Sequence, residues 1–358
     1  MNKIVIINNW LISGGAEKQG LILAKTLNAH FKVYFCIYYT HELEDKFLNE
    51  IKANNIELIL LNGNHLNKLY QFYRLCKKEK VSAIISYLFI GNLINSIIGS
   101  ILKVKIRIGG IRSSSHSTIK NLVQKYLHNN NLTLSISNSY QGMNNCVRNG
   151  YDSKKMIVIH NCFEFEDEIY ETRKNLPIQI VTVARFVDQK DYLTSLKAIK
   201  YAVSLSNIKI HYFILGYGKN ENKIRGWIEE LDLNDVVTLV INPQNVNEYI
   251  AKSHIYLSTS LVEGLSNSIM EGMSFSLPII ATNVGDNNEL VKNGFNGYLT
   301  ETGNYELIGK YIVELANDEE NRNIFGKNSY FHLRENFSSK KFEQNYLKLI
   351  NKLLEKEG

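Results

Sequence analysis

The chain predicts an α/β fold of two doubly wound, Rossmann-like domains. Three observations carry that expectation. Short apolar runs alternate with longer amphipathic stretches from end to end, the pattern of parallel sheets with helices on both faces. The length of 358 residues exceeds what one core usually serves. The series is interrupted near residues 164–177, where Glu164, Glu166, Asp167 and Glu168 give way to Arg173, Lys174 and Pro177 before a fresh apolar strand. The domains are therefore expected at 1–170 and 171–339, with a C-terminal helix of residues 340–358 packing back on the first.

In the first domain the strand candidates are residues 4–7, 33–37, 56–61, 83–87, 106–109, 132–136 and 156–159. In the second they are 178–184, 209–215, 236–240, 255–258 and 278–281. Amphipathic stretches such as 16–27 and 193–204 supply the crossover helices. The 19 uncharged residues 84–102 are long enough to raise a membrane span. Ser86, Gly91, Asn92, Asn95, Ser96, Gly99 and Ser100 interrupt them, so a strand ending near Tyr87 and a buried helix over 91–102 fit better. Residues 66–80 form a basic amphipathic helix, with Leu69, Phe72, Leu75 and Cys76 on one face and Lys68, Arg74, Lys77, Lys78 and Lys80 as its charges. It reads as a core-facing helix with a lysine-rich solvent side, or as peripheral contact with an anionic membrane.

Composition narrows the class. Apolar content of 44% and charged content of 21% exclude a disordered chain. Cys36, Cys76, Cys146 and Cys162 are scattered without a C-x-x-C pair, which argues against a disulfide framework or zinc site and fits a reducing cytosol. The first apolar run is too short for a signal peptide. Net charge is uneven: residues 1–170 hold 20 Lys/Arg against 12 Asp/Glu, net +8, and the remainder 21 against 23, net −2. A basic half suits an anionic partner or is a solvated surface.

Four places can hold chemistry, each at the carboxyl end of a predicted strand. The first is Ser13-Gly14-Gly15-Ala16-Glu17-Lys18, a turn into a helix whose backbone N–H groups can approach an anion. Its spacing fits neither the dinucleotide fingerprint nor the Walker loop. The second is Arg185 with Lys190, a fork and a point charge able to clamp a diphosphate, or simply a surface ion pair. The third is Gly216 and Gly218, a ligand crevice or a turn. The fourth runs from Glu263 to Met273: Glu263 precedes a helix capped by Ser266 or Asn267, and Glu271 lies in its first turns. A carboxylate there can accept two hydroxyls of a ribose or sugar ring, or be incidental to a cap.

With these residues the chain resembles the family 4 glycosyltransferases, retaining enzymes of the GT-B architecture, two such domains facing a cleft. The resemblance rests on GGAEK, VIHN ending at Asn161, ARFVDQKD at 184–191, LGYG at 215–218, EGLSNSIMEGMSFSLPIIAT at 263–282 and VGDNNELVKNGFNGYL at 284–299. It implies that Arg185 and Lys190 hold the donor diphosphate and stabilise the leaving nucleotide. Glu271 would bind the ribose, Glu263 the transferred sugar, and Leu265, Ser266 and Asn267 would present backbone donors. Gly14, Gly15, Gly216 and Gly218 would line the donor site. Many relatives place a His after a middle strand of the first domain; here Arg112 and His116 compete for that position, with His116 set among the catalytic residues and Arg112 and Asn161 on the acceptor side.

The implied activity moves a sugar from a UDP- or GDP-sugar to a hydroxyl of a glycan or polyprenyl-diphosphate-linked acceptor, in surface polysaccharides such as capsule or O-antigen. No Asp-X-Asp occurs, so no metal and no cofactor is expected, nor a nucleic-acid partner. The expected place is the cytoplasm or the inner face of the membrane. A nucleotide-sugar epimerase of similar fold and a non-catalytic sugar-nucleotide-binding protein are the alternatives.

Overall fold

The computed structural model describes residues 2–12, 15–111, 118–165, 177–205 and 207–355. Gly14, Arg112 and His116 lie outside the described residues. The chain divides into two units, the first comprising Met1–Cys162 with Ser339–Gly358 and the second Phe163–Ser338.

In the first unit β1 (Lys3–Asn8), β2 (Lys32–Ile37), β3 (Glu57–Leu60), β4 (Ala83–Tyr87), β5 (Ile106–Ile111), β6 (Leu134–Ser137) and β7 (Met156–Val158) form one parallel sheet. Their order is β3-β2-β1-β4-β5-β6-β7. Alternation along β1 separates two cores. Ile4 and Ile6 join the core that includes Leu23 and Leu27 of helix Gly15–Asn28. Val5 and Ile7 join Phe72 and Cys76 of helix His65–Glu79 and Ile94 and Ile98 of helix Leu88–Ile101. A period-two side-chain pattern buried on both faces is what a sheet covered by crossover helices requires.

Helix Ser339–Glu355 belongs to the first unit because Phe342, Tyr346 and Ile350, one turn apart, are buried in the same core as Ile4. The uncharged stretch 84–102 contains β4 and a helix that starts at Leu88, earlier than the expected Gly91. Its polar residues are satisfied inside the protein: Ser86 donates to Asn92 Oδ1 at 2.8 Å, and the Asn92 amide donates to the Gly110 carbonyl at 3.0 Å. Among the described residues no helix is long and apolar enough to cross a membrane. In helix His65–Glu79, Phe72 and Cys76 face the core. Lys68, read as one of its charged surface residues, is instead buried: its ammonium donates to the Tyr38 carbonyl at 2.6 Å and lies 4.7 Å from the Tyr38 ring centroid. The aliphatic stem packs while the rings and carbonyl replace part of the water shell.

In the second unit β8 (Ile178–Val183), β9 (Ile210–Gly216), β10 (Val237–Ile241), β11 (Ile255–Ser258), β12 (Ile279–Thr282) and β13 (Gly297–Thr300) form a parallel sheet in the order β10-β9-β8-β11-β12-β13. The apolar runs did not reveal β13, an edge strand whose sequence GYLT offers only two large apolar residues. Both sheets thus share the doubly wound order, reversing at β1/β4 and at β8/β11.

Tyr346→Ala should lower the stability of the first unit by about 3 kcal/mol, because it empties a buried aromatic site. Urea unfolding followed by Trp10 fluorescence in a Trp227→Phe background measures it; the transition of the second unit, followed by Trp227 with Trp10→Phe, should not move.

Candidate functional site

The reversal at β8/β11 places the site. The chain leaves β8 through helix Tyr192–Leu205 toward β9, and leaves β11 through helix Asn267–Ser274 toward β12. The crossovers diverge, and the loops at the strand carboxyl ends meet where open α/β sheets take ligands.

The loop after β8 is pinned by Phe186, fully buried, and by the Tyr192 hydroxyl donating to the Ala184 carbonyl at 3.0 Å. It rests on the loop after β9. Gly216 and Gly218 have φ of +157° and +150°, and a Cβ on them would lie 2.0 Å from the Ala184 oxygen and 2.6 Å from the Phe186 oxygen. Glycine is needed here for the backbones to touch. Gly216 and Gly218 thus have a packing reason of their own, apart from any ligand.

The loop after β11 is laced to the same turn. Leu261 N–H donates to the Gln189 carbonyl at 2.8 Å. The Gln189 amide donates to the Val262 carbonyl, and the Thr259 hydroxyl lies 3.1 and 2.9 Å from the Lys190 and Asp191 carbonyls. Lys190 and Glu263 then meet in a direct ion pair, and Ser260 Oγ donates to the same Glu263 oxygen at 2.8 Å. Their side chains are 15% and 12% exposed, so solvent screens the pair far less than a surface pair. The loop after β12 closes the lacing: Thr282 Oγ1 donates to the Ser260 carbonyl at 2.5 Å and Asp286 N–H to the Gly264 carbonyl at 2.8 Å. A Cβ on Gly285, at φ +59°, would sit 2.2 Å from the Glu263 backbone carbonyl oxygen.

Arg185 arises from the same turn as Lys190 but is exposed; its carbonyl is tied down by Val187 N–H at 3.0 Å and the Tyr192 hydroxyl at 3.3 Å. Asp188 is exposed beside Lys219 and Lys223; hydrogen bonds from Lys223, Asn220 and Lys219 hold its carboxyl below the usual range.

Ser266 caps helix Asn267–Ser274, its hydroxyl accepting from Ile269 N–H at 3.4 Å. Leu265 is half-buried and Asn267 exposed beside that cap. Gly272 lets the helix lie on the Tyr256 ring, where a Cβ would meet ring carbon at 2.5 Å. Glu271 consequently lines a recess of about 400 Å³ with Phe163, Glu164, Phe165, Asn247, Ser274 and Phe275, within the size range of small-molecule sites. Burial raises its carboxyl above the ordinary range. The structure therefore pairs Lys190 with Glu263 and sets Glu271 on the wall of a recess.

In the first unit, Gly15 opens helix Gly15–Asn28 with open space where a Cβ would stand. Asn161 is half-buried, next to Cys162, whose N–H and carbonyl are both bonded by the buried Gln19 amide at 3.0 and 2.8 Å. At the ends of β1 and β2, Trp10 stacks on Tyr39 at 4.4 Å between centroids, with His41 edge-on to Trp10 at 4.7 Å. Sequence reasoning missed this aromatic group and also Thr259, Ser260 and Gly285. The three polar or small residues had one signal, their place at the ends of β11 and β12. Among the described residues no group of three or more His, Cys, Asp or Glu is placed to hold a metal ion.

Residues 164–331 match the family model described as "Glycosyl transferases group 1". The matched residues all lie in the second unit and make up just under half of the chain. The chain is 28% identical over 177 residues to the "Poly(glycerol-phosphate) alpha-glucosyltransferase" of Bacillus subtilis, covering 49% of this chain and 26% of that one. It is 24% identical over 306 residues to the "UDP-Gal:alpha-D-GlcNAc-diphosphoundecaprenol alpha-1,3-galactosyltransferase" of Escherichia coli, covering 77% and 76%. The chain thus spans about a quarter of the first relative and three quarters of the second. Anabaena HepE in complex with UDP has the same fold, with a TM-score of 0.79 at 16% identity over 98% of this chain and 100% of that one. The two Rossmann-like units are those of the GT-B architecture.

The raised Glu271 carboxyl has a consequence for stability. A carboxyl held more protonated in the native than in the unfolded chain costs stability when ionised. That cost is full above the folded pKa and disappears as pH falls below the unfolded one. Glu271→Gln should therefore raise the Tm of the ligand-free second unit at pH 8, and the difference should shrink as pH is lowered through the carboxylate range. Thermal melts of both proteins across pH check this.

Proposed function

We propose that the chain is a retaining glycosyltransferase that moves a sugar from a nucleotide-sugar donor to a hydroxyl of a glycan or lipid-linked glycan, without a bound metal. The observation that carries this reading is the Lys190–Glu263 ion pair at the β8/β11 reversal. A cation and a carboxylate are held there in contact by three laced loops, in a place that favours an anionic ligand carrying hydroxyls. Lys190, with Arg185 from the same turn, would take the donor diphosphate and offset the charge that develops on the departing nucleotide. Glu263, released toward the transferred sugar, would accept hydrogen bonds from its hydroxyls. Glu271 would accept the two ribose hydroxyls at the recess, where a carboxylate with few competing waters bonds strongly. With Lys and Arg supplying the positive charge, the leaving group needs no cation. Same-face attack by the acceptor would then retain configuration.

The named relatives support the donor and acceptor classes: one carries UDP-Gal and a diphosphoundecaprenol acceptor in its name, and the HepE structure holds UDP. A surface glycan built on a polyprenyl diphosphate is the reading that follows.

Lys190→Ala should lower kcat/KM at least about 100-fold. Because it also strands a mostly buried carboxylate, Lys190→Ala with Glu263→Gln is the companion variant: it should keep the native Tm and remain inactive. Retained turnover in either variant overturns the assignment. Uridine and guanosine diphosphate sugars should raise the Tm of the parent protein in proportion to affinity. New product should form only when an acceptor glycan is added; donor conversion without acceptor would identify an epimerase instead.

A further inference from the structure

Helix Thr118–Asn130 of the first unit is amphipathic in the wrong sense for a water-facing helix. Its protein-facing side is largely polar: Gln124 and His128 are buried there, with Leu127 the one apolar residue beside them. His128 is satisfied by Ser135 Oγ at 2.8 Å and the Asp152 carbonyl at 3.0 Å, whereas Gln124 Nε2 has no hydrogen-bond partner among the described residues. The solvent side carries Ile119, Leu122, Val123 and Tyr126, which are 75%, 56%, 36% and 63% exposed. These positions, i, i+3, i+4 and i+7, form one continuous stripe. The neighbouring helix Leu88–Ile101, which packs against it, adds exposed Ile97 and Ile101. Single exposed apolar side chains need no explanation, but a contiguous group marks an interaction surface.

Charge identifies what covers it. Between Glu79 and Asp152 the chain contains eight Lys/Arg and no Asp or Glu. Lys120 and Lys125 flank the stripe on its own helix, and Lys155 is anchored at the helix end by the Asn129 carbonyl at 2.7 Å. The nearest carboxylate in sequence, Asp152, is engaged in capping Lys154 N–H at 2.9 Å. A second copy of this chain would set lysines against lysines across such a contact. An anionic bilayer neutralises them while taking up the apolar side chains, and long lysine stems allow both at once. We propose that helix Thr118–Asn130, with Ile97 and Ile101 beside it, is the surface by which the protein docks on an anionic lipid membrane. Helix His65–Glu79, whose Phe72 and Cys76 face the core, is not needed for it.

Flotation of the full chain with lipid vesicles tests this. The protein should bind vesicles of phosphatidylcholine containing phosphatidylglycerol, and bind phosphatidylcholine alone at least about tenfold more weakly. Binding should weaken as salt is raised. Leu122→Ser with Tyr126→Ser should lower binding about tenfold, as should Lys120→Glu with Lys125→Glu, with circular dichroism and Tm unchanged because all four side chains lie outside the core. Absence of binding by the parent chain overturns the proposal, as does equal binding by the Ser variant. So does a concentration-dependent dimer in sedimentation that the same Ser substitutions dissociate, which would make the face a protein–protein contact.

Discussion

The arrangement of the second unit depends on a topological constraint, the reversal of strand order between β8 and β11. Crossover helices on either side of that reversal diverge, so the loops leaving the two strands must fill the opening themselves. They do so with hydrogen bonds from Gln189, Thr259, Leu261 and Thr282 and with one ion pair. The order of importance among these is set by burial. A mostly buried Lys or Glu without its partner is an uncompensated charge, which costs far more than a missing neutral hydrogen bond. The Lys190–Glu263 contact is thus the structural keystone of the three loops.

Strands were legible because buried parallel strands are unbroken apolar runs: each of the twelve runs read from the chain overlaps an observed strand. β13 was not, because a strand at the sheet edge needs only Tyr298 and Leu299 as its apolar content. The position of Glu263 ahead of a helix and Glu271 inside it was legible from cap chemistry, and Ser266 is the residue that caps. Their surroundings were not. That Lys190 reaches Glu263, 73 residues away, follows from strand order, and strand order is a long-range property that no local pattern encodes. Gly216 and Gly218 read from the sequence as a ligand crevice or a turn; the contact of their backbone with Ala184 and Phe186 gives them a packing reason that spacing does not show.

Lys68 and helix Thr118–Asn130 mark where pattern and burial part company. A lysine is assigned to solvent by default, yet Lys68 finds the Tyr38 carbonyl and ring within reach and is buried. In helix Thr118–Asn130 the apolar stripe would be assigned to the core by default. The protein instead spends that side of the helix on solvent and places Gln124 and His128 inside. The second case is harder to reconcile with stability in water, since it combines exposed apolar area with an orphaned buried amide. A second solvent removes the contradiction.

Glu271 presents the same reasoning at the scale of one side chain. Phe163, Phe165 and Phe275 surround its recess, burial opposes its ionisation, and no ion pair relieves it among the described residues. Folding alone gives no reason to keep a carboxylate there, because glutamine would fit the same space without the cost of desolvating a charge. A group that weakens the unliganded protein is retained where binding requires it. For a carboxylate, that requirement is an acceptor of hydrogen bonds stronger than an amide oxygen, which a vicinal diol would exploit with both of its hydroxyls. The unfavourable position of Glu271 in the free protein therefore argues for its use in the liganded one.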